Sequence, residues 1–349
     1  MNEKSNKKLV ILFAFTTVCI IGIIYSLILY WPQNTHHSNS KISIRSGTTL
    51  AEITDVLFEE NIIKNKKIFK LAVKMLGKEK KIPVGTFQLI KAKSNYQIIK
   101  QLMESTPEIV KIRLLEGWDL KKIAGYLGHK MDFDSTDVIN LATDEKFLIK
   151  NGISVGSIEG YLYPDTYFFF KGENEKIILT ELLKHNKEFW KQSFKNRAKE
   201  LGYSEHEILT LASIIEGEAI YDSERPKISA VYHNRLNINM KLQADPTIQY
   251  IIDDAPRRIL NRDLRIKSPY NTYLHKGLPP GPINSPGRKS ILAALYPEEN
   301  DFIFFVAKGD GYHTFSTNER DHNKAKRRFQ LIRKQLKKRK KENESKKIK

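Results

Sequence analysis

The sequence predicts an α+β protein hung from a membrane: an N-terminal transmembrane helix, a small α+β module, then a larger mixed α+β domain. Three observations carry this expectation. Leu9 to Trp31 is an uncharged run of 23 residues. Between Ile42 and Thr106, two-residue alternation gives way to helical spacing and then returns. Beyond that, helical stripes and short alternating strands are separated by loops dense in proline. A length of 349 residues leaves room for about two ordinary domains, and fractions of 28% charged and 40% hydrophobic residues are those of a folded chain.

As a helix, Leu9 to Trp31 would span roughly 35 Å, enough for a bilayer core of about 30 Å. Lys4, Lys7 and Lys8 precede it, and the next basic residue after it is Lys41. The positive-inside rule then puts residues 1–8 in the cytoplasm and everything after Pro32 outside. A cleaved signal peptide is the rival reading. The apolar run is long for one, and "YWPQNTHHSNS" offers no small-x-small cleavage site. The single cysteine, Cys19, lies inside the span, so the exported part has no disulfide and must rest on its cores. Residues 32–41 are polar and short, a tether to the first domain. His36 and His37 within it lack the set of about four ligands that a closed metal site needs.

The formal charge of +19 is concentrated at the far end. From Lys324 to Lys349 there are fourteen Lys or Arg against Glu342 and Glu344, a net of +12, which leaves +7 for the rest. Such a block reads as the footprint of an anionic partner or as a solvated, partly helical tail, and composition does not choose. The predicted topology removes nucleic acid from the partners and leaves anionic lipid or cell-wall polymer.

Residues 42–106 form the small module. "ISIRSG" alternates as a strand into a glycine turn, and "TTLAEITDVLFEENII" carries a helical stripe through Leu50, Ile53, Leu57 and Ile62. "IFKLAVKMLG" is a second helix ending at Gly77, "PVGTFQLI" a returning strand and "NYQIIKQLME" a closing helix. Strand, two helices and strand resemble a LysM-type glycan-binding module. A plain spacer that lifts the next domain off the membrane has the same order.

Residues 107–332 make the larger domain and 333–349 the basic tail. "VKIRLL" is a strand and "EGWDLKKIAGYLG" a helix closing on Gly128. In "EGYLYPDTYFF" three tyrosines interleave with Glu159, Pro164 and Asp165. Such a loop serves equally as a sugar-stacking wall or as aromatic packing onto the core. Ser204 and Glu207 form a capping box, so a helix starts at about Glu205. At 100° per residue, Ile208, Leu211, Ala212, Ile215 and Ala219 share one stripe. Glu216 falls about 80° to one side of it and Glu218 about 80° to the other. Two carboxyls so placed cannot share one glycosidic bond, which argues against a paired-acid glycosidase within this helix. Either flank offers one carboxyl beside apolar neighbours, hence a candidate acid with a raised pKa; periodicity does not choose between the two.

Downstream, "SERPKISAVYHNRLN" is a helix with Ser223 as N-cap and Pro226 in its first turn. Gln243 and Asp245, just before Pro246, stand on a rigid loop. "SPYNTYLHKGLPPGPINSPG" holds five prolines from Pro269 to Pro286 and cannot be a helix or a central strand. Its Tyr270, Asn271 and Tyr273 favour a binding wall. "DFIFFVAKGDGYHTFS" is a hairpin turning at Asp310-Gly311, with His313 and Phe315 on the return strand. A lone histidine there is more often a hydrogen-bonded packing residue than a catalyst. No Ser-His-Asp arrangement, phosphate-binding glycine loop or metal-ligand cluster is present in the pattern.

Taken together and in order, the N-terminal anchor, the LysM-like module, "EGYLYPDT", "LASIIEGEA", "ISAVYHNRLNINMKLQADPTI", "YNTY" with "GLPPGPI", and "GDGYHTFS" resemble the endolytic murein transglycosylases, the MltG/YceG-like family. The resemblance implies cleavage of the β-1,4 bond between N-acetylmuramic acid and N-acetylglucosamine in nascent peptidoglycan strands. It places the essential glutamate at Glu216 as single general acid and base, leaving 1,6-anhydro ends and needing no cofactor. Glu218, Gln243, Asp245, Tyr270, Asn271 and Tyr273 fall in matching motifs and are implied to bind or orient the glycan. The implied partners are peptidoglycan strands, the membrane and cell-wall synthases, at the bacterial inner membrane with the catalytic domain outside. The alternative is a non-catalytic peptidoglycan-binding scaffold. Gly217 stands where the family commonly carries a longer charged residue.

Overall fold

The computed structural model describes residues 3–33, 39–45, 47–79, 81–90, 92–104 and 106–347. His36 and His37, in the stretch read as a tether, lie outside the described residues. In chain order the elements begin with α1 (Glu3–Tyr30), β1 (Asn39–Ile44), α2 (Leu50–Glu59), α3 (Lys66–Met75), β2 (Gly85–Ile90), α4 (Asn95–Glu104) and β3 (Ile109–Arg113). They continue with α5 (Leu120–Met131), α6 (Ser135–Ala142), α7 (Glu145–Lys150), β4 (Thr166–Phe170), α8 (Glu175–Phe189), α9 (Gln192–Glu200) and α10 (Glu205–Glu218). The last are α11 (Arg225–Asn237), α12 (Asp245–Ile251), α13 (Arg288–Leu295), β5 (Phe304–Ala307), β6 (His313–Ser316) and α14 (Glu319–Lys347). The fold is mixed α+β, with two-stranded sheets β1-β2, β3-β4 and β5-β6 among the described residues.

Contacts gather into two compact units. The first is Met1–Ile112 with His129–Phe133 and Tyr167–Ile178; the second is Arg113–Gly128, Asp134–Thr166 and Leu179–Lys349.

In the first unit, α1 carries an apolar span, Lys7–Tyr30, with mean hydropathy 2.5, long and apolar enough to cross a membrane. β1 and β2 pair antiparallel with Ile42 opposite Phe87. Two-residue alternation sends Ile42, Ile44, Phe87 and Leu89 to the same face. That face meets Ile53 and Leu57 of α2, Phe69 and Val73 of α3, and Ile98 and Leu102 of α4 in one buried cluster. The α2 start has both halves of a capping box: Thr49 N–H donates to Glu52 Oε2 at 2.6 Å and Glu52 N–H to Thr49 Oγ1 at 3.3 Å. The end of α1 joins this core through buried Leu29, and Asn95 Nδ2 donates to the Ile28 carbonyl at 2.8 Å. Gln33 also docks on it, accepting from Lys64 N–H at 2.8 Å.

The second unit is built around α10. The predicted capping box is present: Ser204 N–H donates to Glu207 Oε2 at 2.8 Å and Glu207 N–H to Ser204 Oγ at 3.2 Å. The stripe expected on one face understates its burial, because every residue from Ile208 to Ile215 is buried. Polar Thr210 and Ser213 are accommodated by donating to the carbonyls of His206 and Thr210, at 2.8 and 2.7 Å. Ser213 then accepts from Ile283 N–H at 3.0 Å, and its carbonyl accepts from Asn284 Nδ2 at 2.9 Å. The proline-rich loop is thereby fastened along α10 as an inner layer rather than a solvent loop.

Local details differ from expectation in two places. Ser223 does not cap α11; it lies in the 3-10 turn Asp222–Glu224, and α11 starts at Arg225 with no side-chain cap. Asp245 opens α12 with Pro246 in its first turn, so it belongs to a helix start rather than to a loop. The hairpin forms as expected, Phe305 opposite Phe315, with Lys308 N–H donating to the Tyr312 carbonyl at 2.8 Å.

Candidate functional site: the end of the buried helix and its two clefts

The last turn of α10 delivers Glu216 and Glu218 to separate environments. Glu216 is enclosed, with a side chain 8% exposed, as is that of Arg225. Its Oε1 accepts from Arg225 Nη2 at 3.2 Å, and its Oε2 from Gly287 N–H at 2.9 Å and Ser290 Oγ at 2.8 Å. Arg225 also reaches Ser290 and pairs through Nε with Asp222 at 3.0 Å. The carboxylate thus ties the start of α13 to the start of α11. Glu116 packs directly over Gly287, where a Cβ would collide with its carboxyl. Burial, followed by the charge of Glu216, pushes the Glu116 pKa up.

Glu218 accepts from Tyr232 Oη at 2.9 Å, and that phenol is wholly buried. Burial, reinforced by the nearby charge of Asp245, pushes the Glu218 pKa up to about 7 against the stabilising Tyr232 bond. The two carboxyls have no hydrogen-bond partner in common, in keeping with their places on opposite flanks.

Two clefts meet at Glu218. One, of about 690 Å³, is lined by Glu218, Gln243, Asp245 and Tyr273, with the β5-β6 hairpin and the first turns of α14 as its other wall. The other, of about 860 Å³, is lined by Gly217, Glu218, Asp245, Pro246, Tyr250 and Asn284 among others. Glu218 and Asp245 border both, so the clefts read as one groove with the proton-holding carboxyl at its junction. Gly217 explains itself here: a Cβ would sit 2.6 Å from Pro246 Cβ, so the close approach it permits is that of the α12 start.

Of the residues singled out by sequence, Glu218, Gln243, Asp245 and Tyr273 converge on the groove. Tyr273 Oη donates to Asp245 Oδ1 at 2.6 Å. Gln243 holds a left-handed backbone, φ 47°, pinned by its N–H to the Thr272 carbonyl at 3.1 Å. That conformation is rare for a side chain other than glycine, and here it sits beside an acid in a cleft. Asn271 is wholly buried. Its Nδ2 donates to the carbonyls of Leu264 and Ile266, at 3.1 and 2.8 Å, while its Oδ1 accepts from Tyr273 N–H at 2.9 Å. It braces the loop that carries Tyr273. Tyr270 packs on the core against Tyr250, ring centroids 5.0 Å apart.

The tyrosines of "EGYLYPDT" also serve packing. Tyr161 Oη bonds His206 Nδ1 at 2.8 Å, and Tyr163 stacks on Phe189. Glu159, 7% exposed, accepts from Leu120 N–H at the start of α5, and burial pushes its pKa up to about 8. His313 is fastened to Glu224, accepting or donating through Nδ1 at 2.9 Å and donating its N–H at 2.9 Å.

Sequence reasoning missed Glu116, Arg225 and Tyr232, which set the environments of the two acids. It also missed His322, which stacks on Phe304 in the groove wall. Only Tyr232 left a trace, as an aromatic in the "ISAVYHNRLN" helix; the others read as surface charges.

The buried acids predict a pH dependence. Between the ordinary carboxyl value of 4.5 and about 7 for Glu218, or about 8 for Glu159, the folded chain keeps a proton that the unfolded chain has lost. The folded state binds more protons across that window, so stability falls as pH rises through it. Denaturant unfolding of the full chain between pH 5 and pH 8 is expected to lose up to about 1.4 kcal/mol per pH unit for each group. Glu159→Gln should flatten the slope; an unchanged slope would remove Glu159 from the account.

The two clefts, with the raised-pKa carboxyl of Glu218 and Asp245 at their junction, form the candidate site. The comparisons are specific. The chain belongs to the YceG-like family, whose model matches residues 42–328. It is 34% identical over 304 residues to the endolytic murein transglycosylase of Bacillus subtilis (strain 168), covering 82% of this chain and 84% of the relative. It is 26% identical over 326 residues to that of Streptococcus pneumoniae (strain R6), spanning 58% of that protein's length. The crystal structure of a YceG-like protein from Listeria monocytogenes matches with a TM-score of 0.58 at 31% identity, over 82% of this chain and 98% of the other.

Proposed function

We propose that this chain is a membrane-anchored endolytic lytic transglycosylase that cuts the β-1,4 bond between N-acetylmuramic acid and N-acetylglucosamine within nascent peptidoglycan strands. The observation that carries the reading is the last turn of α10, which sets Glu218, its pKa pushed up by burial to about 7, where two clefts meet. The naming of the Bacillus and Streptococcus relatives as endolytic murein transglycosylases supports it. An acid flanked by groove on both sides suits cutting within a strand rather than at its end.

The sequence resemblance makes Glu216 the acid, beside Gly117 of the larger cleft. A second reading gives that role to Glu218, which borders both clefts, while the Glu216 oxygens accept from Arg225, Gly287 and Ser290. In this reading Glu218 gives its proton to the glycosidic oxygen as the bond to C1 breaks. The resulting carboxylate takes the proton of the muramoyl C6 hydroxyl, whose oxygen closes on C1. One bond breaks, one forms, the proton moves from O6 to the leaving oxygen, and no water is consumed. Burial first, with the charge of the Tyr273-held Asp245 added, keeps the Glu218 pKa high; Gln243 and Tyr273 bind the strand, and Asn271 and Tyr270 hold the loop that presents Tyr273. In this second reading Glu216 is a positioning residue.

The α1 span anchors the chain with residues 1–8 in the cytoplasm. The 42–106 module acts as a LysM-like glycan holder, 107–332 as the catalytic domain, and cell-wall synthases are partners.

The test is product chemistry. Glycan strands are digested with the purified full chain and the new ends identified by mass spectrometry. Internal fragments ending in 1,6-anhydromuramic acid are expected. Reducing ends would make it a hydrolase, and strand retention without product would make it a scaffold.

A further inference from the structure

The face of α14 that borders the groove carries His322, Lys326, Phe329 and Arg333, spaced four, three and four residues apart, as one helical face requires. Where this face ends, Arg333 and Arg258 line the 860 Å³ cleft together. The same two arginines, with Gln330 and Lys334, line an adjoining hollow of about 260 Å³. Three cations and an amide therefore surround one concavity, and no carboxylate lines it. Among the described residues none of the three is in an ion pair. Neighbouring Arg257 is the contrast: it is held by Asp254 at 2.6 Å and Asp263 at 2.7 Å. Lys121 and Lys122 add charge along the same cleft.

Unpaired like charges gathered in a concavity are costly alone and favourable around an anion, and guanidinium groups match carboxylates in two-point fashion. We propose that this hollow is a carboxylate receptor that reads the peptide substituents of the strand being cut, so that the substrate class is peptide-bearing rather than bare glycan. The inference rests on the proposed function. In a peptide-bearing strand each muramoyl lactyl carboxyl is closed as an amide, so the regularly repeating anions are the carboxylates of the peptides themselves. A receptor sharing Arg258 and Arg333 with the cleft of Glu218 places such a peptide on the same strand as the bond that breaks. The backbone supplies groove contacts, and the peptide supplies the charge that selects it.

Binding tests this apart from turnover. Fluorescently labelled glycan oligomers of one length, with peptides or stripped of them and amidated at the exposed lactyl carboxyls, are titrated into the full chain in detergent at low salt. The peptide-bearing oligomer is expected to bind at least about tenfold tighter, with the margin shrinking as salt rises. Arg258→Ala with Arg333→Ala should abolish the margin, Arg258→Lys with Arg333→Lys should retain most of it, and Lys334→Ala, which lines the hollow and not the cleft, should narrow the margin while leaving bare-glycan binding unchanged. Equal affinity of the wild-type chain for both oligomers would overturn the proposal. So would an undiminished margin in the alanine variant, or cations that act only on phosphatidylglycerol vesicles in a parallel sedimentation assay. Loss of the anhydro product with the margin intact would instead overturn the proposed reaction and leave the receptor standing.

Discussion

Glu218→Gln is expected to lower the rate of anhydro-end release by about 10²- to 10⁴-fold, the span that one general acid contributes. The glutamine side chain can still accept from Tyr232 Oη, now at 2.9 Å from the carboxyl, and fills the same volume at the mouth of both clefts. Fold and strand binding should therefore survive while the transferable proton is gone. The wild-type rate should decline as pH rises through about 7, the value to which burial pushes this carboxyl, because the acid form is then lost. Stability gives an independent reading with the opposite sign of harm: the variant should lose less stability than the wild type between pH 5 and pH 8. Initial rates from counted anhydro ends, with thermal unfolding of the same samples, measure both. A variant of undiminished activity would sink the assignment of Glu218.

Much of this site was legible because it follows from local rules. The capping box at Ser204 and Glu207 set the start of α10, and a fixed start sets which flank every later residue occupies. That is why Glu216 and Glu218 could be separated before any coordinates. The hairpin at Asp310-Gly311 and the strand-helix-helix-strand order of the first module were legible for the same reason. What stayed hidden depends on partners distant in sequence. Arg225, Gly287 and Ser290 enclose Glu216, and burial with the charge of Asp245 raises the pKa of Glu218 against its bond from Tyr232, yet no spacing within "IIEGE" announces any of them. Asn271 shows the converse: an amide in a loop motif reads as a ligand contact until its donors are found spent on Leu264 and Ile266. The stripe on α10 misled in degree, since a helix that is the centre of a core is buried on every side and hides its own amphipathicity.

With Glu218 as the acid, Glu216→Gln should act mainly on stability. The carboxylate serves three donors with two oxygens, whereas a glutamine offers one oxygen and turns an NH2 toward either the Arg225 guanidinium or the Gly287 and Ser290 donors. Removing one partner of a buried pair costs about 3–5 kcal/mol when the remaining charge is left alone. Asp222 still holds Arg225 through Nε at 3.0 Å, so a cost at or just below that range, about 2–3 kcal/mol, is expected here. At roughly 2–4 °C per kcal/mol for a domain of this size, the unfolding midpoint should fall by about 4–12 °C. Activity below the new midpoint should fall far less than in Glu218→Gln, because α13 and α11 shift while the acid at the groove stays in place. Glu116 supplies a further signature. Its pKa is held up by burial first and by the charge of Glu216 second, so neutralising Glu216 should move it back toward 4.5 in a carboxyl NMR titration. An unchanged midpoint together with a dead enzyme would reverse the roles of the two acids, making Glu216 the proton donor and Glu218 its support.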